Sequence, residues 1–170
     1  MPIKRVSKEL NNEMYFVTIT VHNWYEIFNE KRWKILANSL EYCQKNKGLR
    51  IYTYVFMLNH IHMIIRAPDV SSVIRDFKSH TGKKLLKDIR VNNPELLKHF
   101  LCKNNEYEFW KRGNYPEIIE TDWFLNQKID YIHYNPVEKK YVKYPEEWKW
   151  SSANFFENMT EGSVKIKPLI

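Results

Sequence analysis

Apolar and polar positions alternate over residues 15–22, YFVTITVH, and this period of two predicts a strand with Thr18, Thr20 and His22 on one face. After the turn-like HNWYEIFNE the period lengthens. Trp33, Leu36, Leu40 and Cys43 fall at helical spacing, with Asn29 as N-cap and Gly48 as the stop. Residues 50–66, RIYTYVFMLNHIHMIIR, hold two strand-like runs broken around Leu58 and Asn59, the pattern of a hairpin, and Pro68 ends the second run. Ser71 and Ser72 can cap a second helix, whose apolar stripe starts at Ile74 and Phe77. A short strand is expected within residues 109–119, although Gly113 and Pro116 interrupt it. The last helix opens at Thr121 and Asp122 and runs to Pro136, which lacks a backbone donor and disfavours helical geometry at Asn135. Beyond it, YPEEWKWSSANFF reads as an arm packed through Trp148 and Trp150, and residues 157–170 as a loose tail.

The order strand, helix, strand, strand, helix, strand, helix predicts an α+β fold. Its first six elements match the ferredoxin-like βαββαβ antiparallel sheet, with an additional C-terminal helix. No repeat or flexible linker divides the 170 residues, so residues 1–170 are expected to form one domain.

Charge adds a partner class. Lys and Arg total 27 against 20 Asp and Glu, a net of +7, which favours polyanions. Between Arg66 and Tyr115 eleven basic residues face six acidic ones, so most of the excess lies in the middle third. A hydrophobic fraction of 44% excludes a disordered basic tail as the main component. No run approaches the roughly 20 apolar residues of a membrane span, and MPIKRVSKEL lacks the pattern of a signal peptide. The expectation is a cytoplasmic, nucleoid-associated protein without membrane contact. Cys43 and Cys102 stand isolated and are read as reduced, with neither a disulfide scaffold nor a thiolate zinc site indicated by their spacing. Only 4 glycines occur, without GxGxxG or GxxxxGK[ST], so no nucleotide cofactor is expected.

Candidate chemistry begins at Asn59-His60-Ile61-His62-Met63. On a strand, His60 and His62 point to one face, about 6.5 to 7 Å apart along the backbone, where two imidazoles can converge on one ion. An HxH pair also arises by chance, as half-buried histidines with ordinary hydrogen bonds. A third ligand from another element would distinguish the two. On the last helix, Leu125, Ile129 and Ile132 form a core stripe, while Phe124, Gln127 and Asn135 fall within about 40° of Tyr131. Tyr131 and Asn135 are i and i+4 neighbours, so a phenol and an amide share a face that burial alone does not require. Most of the 11 tyrosines should simply pack, and Tyr134, about 60° away, is the rival phenol. His133 points to the far side, toward packing or a backbone hydrogen bond.

MLNHIHMII, FWKRGNYPEII and YIHYNPVEKKYV together resemble the REP-associated tyrosine transposases, relatives of the small single-tyrosine insertion-sequence transposases in the HUH endonuclease class. The likeness spans residues 15–155. It implies a ferredoxin-like domain that cleaves and rejoins single-stranded DNA beside a hairpin without ATP. By that resemblance His60 and His62 match the metal ligands, Tyr131 the nucleophile and Asn135 the third ligand. Two positions depart from the family pattern: Leu58 stands where Pro is common, and Lys111 where Gln is common.

The chemistry suits these residues. A phenol, with an ordinary pKa of about 10, is a weak nucleophile at neutral pH and needs an activated electrophile. A divalent ion held by two imidazoles and an amide oxygen keeps positions open for phosphate oxygens, and Mg2+ or Mn2+ suits that donor set better than structural zinc. The expected product is a 5′-phosphotyrosine and a free 3′-hydroxyl. Expected contacts to single-stranded or hairpin DNA are Arg66, Lys78, Lys83, Trp110, Lys111 and Arg112, the last three because cations beside an aromatic suit unstacked bases. A solvated basic helix face is the plain alternative for Lys83, Lys84 and Lys87. Two further readings stand beside the enzyme: a domesticated hairpin DNA-binding module without catalysis, and a metal-dependent RNA-binding or RNA-processing protein. The motifs fit a monomer and also a homodimer that shares its sites.

Overall fold

A computed structural model describes residues 12–113 and 115–169. The opening MPIKRVSKEL, on which the signal-peptide expectation rests, lies outside the described residues, as do Asn114 and Ile170. Seven elements follow the predicted order: β1 (Tyr15–Thr20), α1 (Glu30–Asn46), β2 (Arg50–Phe56), β3 (His60–Arg66), α2 (Val70–Asn92), β4 (Glu117–Ile118) and α3 (Asp122–Glu138); a short α4 (Ala153–Asn158), which the sequence reading did not include, follows in the arm. The sheet order is β2-β3-β1-β4, with every neighbouring pair antiparallel. This is the split βαββαβ arrangement, with α3 appended.

Alternation in β1 and β3 decides what each sheet face does. Tyr15, Val17, Ile19, Ile61, Met63 and Ile65 join the larger core, which also holds Leu36, Leu40, Phe77 and Leu85 from α1 and α2. Phe16 and Ile64 point the other way and meet Ile129 and Ile132 of α3, with Tyr52, Val55 and Met57. Thr18 and Thr20 lie opposite His62 and His60 in the β1–β3 register. A register shift between Ile51 and Thr53 bends the outer strand pair. Arg32 of α1 is buried and crosses to the end of α2. Its Nε donates to Asp88 at 2.9 Å, its Nη2 to the Asn93 side chain at 2.7 Å and its Nη1 to the Ile27 carbonyl at 2.9 Å.

Asn29 caps α1 as expected, its side chain accepting from the Arg32 amide at 3.0 Å, and Gly48 follows with φ +65°, a conformation that favours glycine. Several boundaries differ from the sequence reading. The cap of α2 is Asp69, which accepts from the Ser72 amide at 2.9 Å, so the helix starts one residue before the serines. The strand expected within residues 109–119 shrinks to Glu117–Ile118, with a separate bridge between Val21 and Trp110. Pro136 does not end α3, which continues to Glu138. It sits in the last turn, where only one intrahelical donor is lost, and the amides of Lys139, Lys140 and Tyr141 bond back to Asn135, Val137 and Pro136. The predicted arm packs as expected: Trp150 is buried and donates to Glu30, and Trp148 donates to the Phe56 carbonyl at 2.9 Å.

The segment expected to be a loose tail is tied down beyond α4. Val164 is buried, its amide reaches the Tyr54 hydroxyl at 3.3 Å, and the Lys167 amide donates to the Ile51 carbonyl at 2.8 Å. An apolar side chain and sheet-edge hydrogen bonds outweigh the polar composition that reads as loose.

Candidate functional site

Two histidines and a tyrosine meet on the sheet face covered by α3. His60 and His62 emerge from alternate positions of β3, with ring centroids 4.7 Å apart and planes 74° apart. Both are buried. The outer ring nitrogens have partners: His60 Nδ1 lies 2.6 Å from Asn59 Oδ1, and His62 Nδ1 lies 2.8 Å from Thr18 Oγ1. His62 Nε2, by contrast, is buried without a hydrogen-bond partner. Such an orphan costs free energy unless something binds it, and Nδ1-engaged histidines are the usual form in which the other nitrogen ligates metal. Burial is the main cause that lowers both pKa values. His60 falls to about 4, with a smaller push from Lys139, and His62 to about 3, with smaller pushes from His60 and Lys128. Both rings are therefore neutral, and able to act as ligands, at physiological pH.

From the opposite side α3 brings Tyr131, whose ring centroid lies 5.1 Å from that of His62 and 6.0 Å from that of Phe16. Phe16 stacks on His62 at 5.4 Å and floors the site. Tyr131 is half exposed, whereas Asn135 one turn later is buried. The continuation of the helix through Pro136 keeps these two on one face. Lys128, one turn before Tyr131, places Nζ 4.1 Å from the Phe16 ring centre and 5.8 Å from that of Tyr131, and pairs with Glu117 at 3.4 Å. The site is thus neutral at its centre with cations at its rim, which suits a phosphodiester. His62 and Tyr131 come together within one chain. His133 faces away, as expected, but its partner is a side chain: Nε2 lies 2.9 Å from Ser152 Oγ.

The family described as "Transposase IS200 like" matches residues 9–135, a span that contains both histidines, Tyr131 and Asn135. The chain belongs to the IS200-like transposase family. A Haemophilus influenzae protein whose curated name places it among the REP-associated tyrosine transposases is 32% identical over 98 residues. That alignment covers 55% of this chain and 53% of the relative, so the chain matches about half the length of its curated relative. A solved structure of a REP-associated tyrosine transposase bound to a REP hairpin superimposes with a TM-score of 0.66, over 94% of this chain and 88% of that one. At 17% identity the superposition shows that the fold is shared.

The expected DNA-contact residues of this IS200-like chain are spread around the sheet end and α2. Lys83, Lys111 and Arg112 are exposed. Arg112 pairs with Glu108, and Lys111 extends over the Trp24 ring, 5.1 Å from its centre. Lys78 is half-buried and donates to the Lys111 carbonyl at 2.8 Å, so it braces that loop. Arg66 is half-buried at the end of β3, beside Arg50 and Lys167. Trp110 is not a surface platform. It is 5% exposed, packs against Phe28, Phe77 and Phe109, and donates its indole N–H to Thr81 at 2.9 Å. The exposed indole beside Lys111 is Trp24 instead, 56% exposed and held at φ +57°. A bulky residue in the left-handed region is uncommon, and here the Asn59 side chain holds it by donating to the Trp24 carbonyl at 2.9 Å. Sequence reasoning passed over Trp24 because it lies in a turn-like stretch without periodicity. It also passed over Lys128, although that residue's i−3 spacing from Tyr131 marks it as a neighbour. Among the described residues no helix is long and apolar enough to cross a membrane.

Proposed function

We propose that the protein is a metal-dependent single-stranded DNA endonuclease and strand transferase that cuts and rejoins DNA beside hairpins. The observation that carries this reading is the buried, unpartnered Nε2 of His62, whose ring lies against that of Tyr131, in a chain of a transposase family. Hairpin DNA as partner is carried over from the solved relative, which is bound to a REP hairpin.

His60, His62 and Asn135 would hold Mg2+ or Mn2+, and the donor set fits: two neutral imidazoles with outer nitrogens already engaged, and a buried amide. A bound ion of this kind neutralises phosphate charge and orients the scissile bond. Tyr131 Oη attacks phosphorus, the bond from phosphorus to the 3′ oxygen breaks, and the proton count of the phenol reappears on the released 3′-hydroxyl. The 5′-phosphotyrosine stores the bond, and attack by a different 3′-hydroxyl restores the phenol and joins a new end. Lys128 stabilises negative charge that develops at the phenol oxygen and phosphate. Lys111 and Arg112 grip backbone phosphates, and Trp24 offers a face on which an unpaired base stacks. Lys83, exposed on α2, and Arg66, at the end of β3, add positive charge for further backbone phosphates.

The test is a labelled single strand carrying a hairpin, incubated with protein and Mn2+ and resolved on a denaturing gel. A protein-linked oligonucleotide is expected from the wild type and from Tyr134→Phe, and none from Tyr131→Phe. An adduct that survives Tyr131→Phe and disappears in Tyr134→Phe overturns the assignment. Hairpin binding with no adduct under any divalent metal makes the protein a binding module.

A further inference from the structure

A second group of ligating side chains lies outside this site. His22 follows β1, while Cys102 lies within, and Glu108 just beyond, a small hairpin closed by the bridge between Leu101 and Tyr107. One potential ligand atom from each of the three lies within 4.8 Å of the other two, and they form the one such group of three among the described His, Cys, Asp and Glu residues. His22 Nε2 is 3.8 Å from Cys102 Sγ. Two ligands on a tetrahedral ion with Zn–S of about 2.3 Å and Zn–N of about 2.0 Å stand roughly 3.5 Å apart, so this pair is already close to its coordinated spacing.

The backbone preforms the arrangement. The His22 amide donates to the Phe109 carbonyl at 2.8 Å, the Cys102 amide to the Glu106 carbonyl at 2.8 Å, and the Glu108 amide to the Phe100 carbonyl at 2.9 Å. Arg112 donates to Oε1 of Glu108, which orients the carboxylate. All three residues are partly exposed, so an ion can enter, and the cavity beside them is lined by Asn23, Lys103 and Asn104.

We propose that His22, Cys102 and Glu108 bind a zinc-class divalent cation, with an open fourth position for water. A thiolate, a carboxylate and a neutral imidazole balance the two positive charges, and mixed sulfur, nitrogen and oxygen donors suit zinc far better than magnesium. Binding replaces the Cys102 S–H by a metal–sulfur bond and releases that proton to solvent. The ion pins the 101–107 hairpin to the end of β1, on the loop that carries Trp24 and just ahead of Lys111 and Arg112. The site shares no residue with the His60–His62 pair, so it stands or falls independently of the nicking reaction.

Cobalt titration of the reduced full-length protein tests this, because only a thiolate ligand produces an intense near-ultraviolet sulfur-to-cobalt band. The band is expected in the wild type, in Cys43→Ala and in a His60→Ala, His62→Ala double variant, and should be lost in Cys102→Ser and sharply reduced in His22→Ala. In the wild type, one equivalent of Zn2+ should displace it and slow modification of Cys102 by a thiol reagent at least tenfold. No band in the wild type, a band that persists in Cys102→Ser, or thiol reactivity indifferent to Zn2+ would overturn the proposal.

Discussion

Asn59 holds His60 by its outer nitrogen: Oδ1 lies 2.6 Å from His60 Nδ1, while Nδ2 donates to the Trp24 carbonyl at 2.9 Å. The second bond decides the first. A carbonyl only accepts, so the amide must turn its NH2 toward Trp24 and its oxygen toward the imidazole. The proton of neutral His60 therefore sits on Nδ1, and the Nε2 lone pair is free to ligate. One side chain sets both the tautomer of a candidate metal ligand and the strained loop that displays Trp24.

Asn59→Leu should weaken Mn2+ binding about 10–100-fold, the usual cost of removing such an outer partner, without unfolding the protein. Calorimetric titration of Mn2+ into the variant checks this, with hairpin affinity as a second readout because the Trp24 loop loses its tether.

Acid should destabilise the fold through buried histidines. His60 and His133 titrate at about 4 and His62 at about 3 in the fold, mainly through burial, against an ordinary value of about 6.5 in the unfolded chain. The unfolded state binds more protons throughout that interval, so stability is complete above about pH 6.5 and declines as pH falls toward 4. At pH 5 each histidine costs roughly 2 kcal/mol. Urea unfolding midpoints across pH 4.5–7.5 measure the slope, which His133→Gln should make shallower.

Lys128→Gln should slow adduct formation about tenfold or more, because a cation near the reacting centre in a partly buried site contributes on the order of 1–3 kcal/mol. Hairpin affinity should change far less, and single-turnover gels alongside binding curves separate the two effects.

Trp24 and Trp110 should part company. Trp24→Ala is expected to cost about 1–3 kcal/mol of single-strand affinity with little change in stability, as for a stacking platform. Trp110→Ala should lower stability by roughly 3–5 kcal/mol, as for a large core aromatic. Thermal melts paired with binding measurements distinguish them.

Much of this architecture is legible from local periodicity. Alternation places His60 and His62 on one face whatever the strand pairs with, because successive side chains on a strand point in opposite directions. Helical spacing places Tyr131 and Asn135 one turn apart, and Asn29 announces the first helix through its capping oxygen. Pro136 misleads for an equally local reason. A proline costs a helix one donor, and in a final turn that loss is small.

Tertiary structure alone decides the rest. The indole of Trp110 goes inward because Thr81 and three aromatic rings wait for it, while Trp24, in an unpatterned turn, takes the surface beside Lys111. Lys128 becomes part of the site only once α3 lies across Phe16. His22 and Cys102 are 80 residues apart, and no spacing rule relates them until the 101–107 hairpin docks on the end of β1. Residue order and periodicity determine which face of its own element a side chain occupies. Which faces meet depends on contacts between segments distant in sequence, and those exist only in the folded chain.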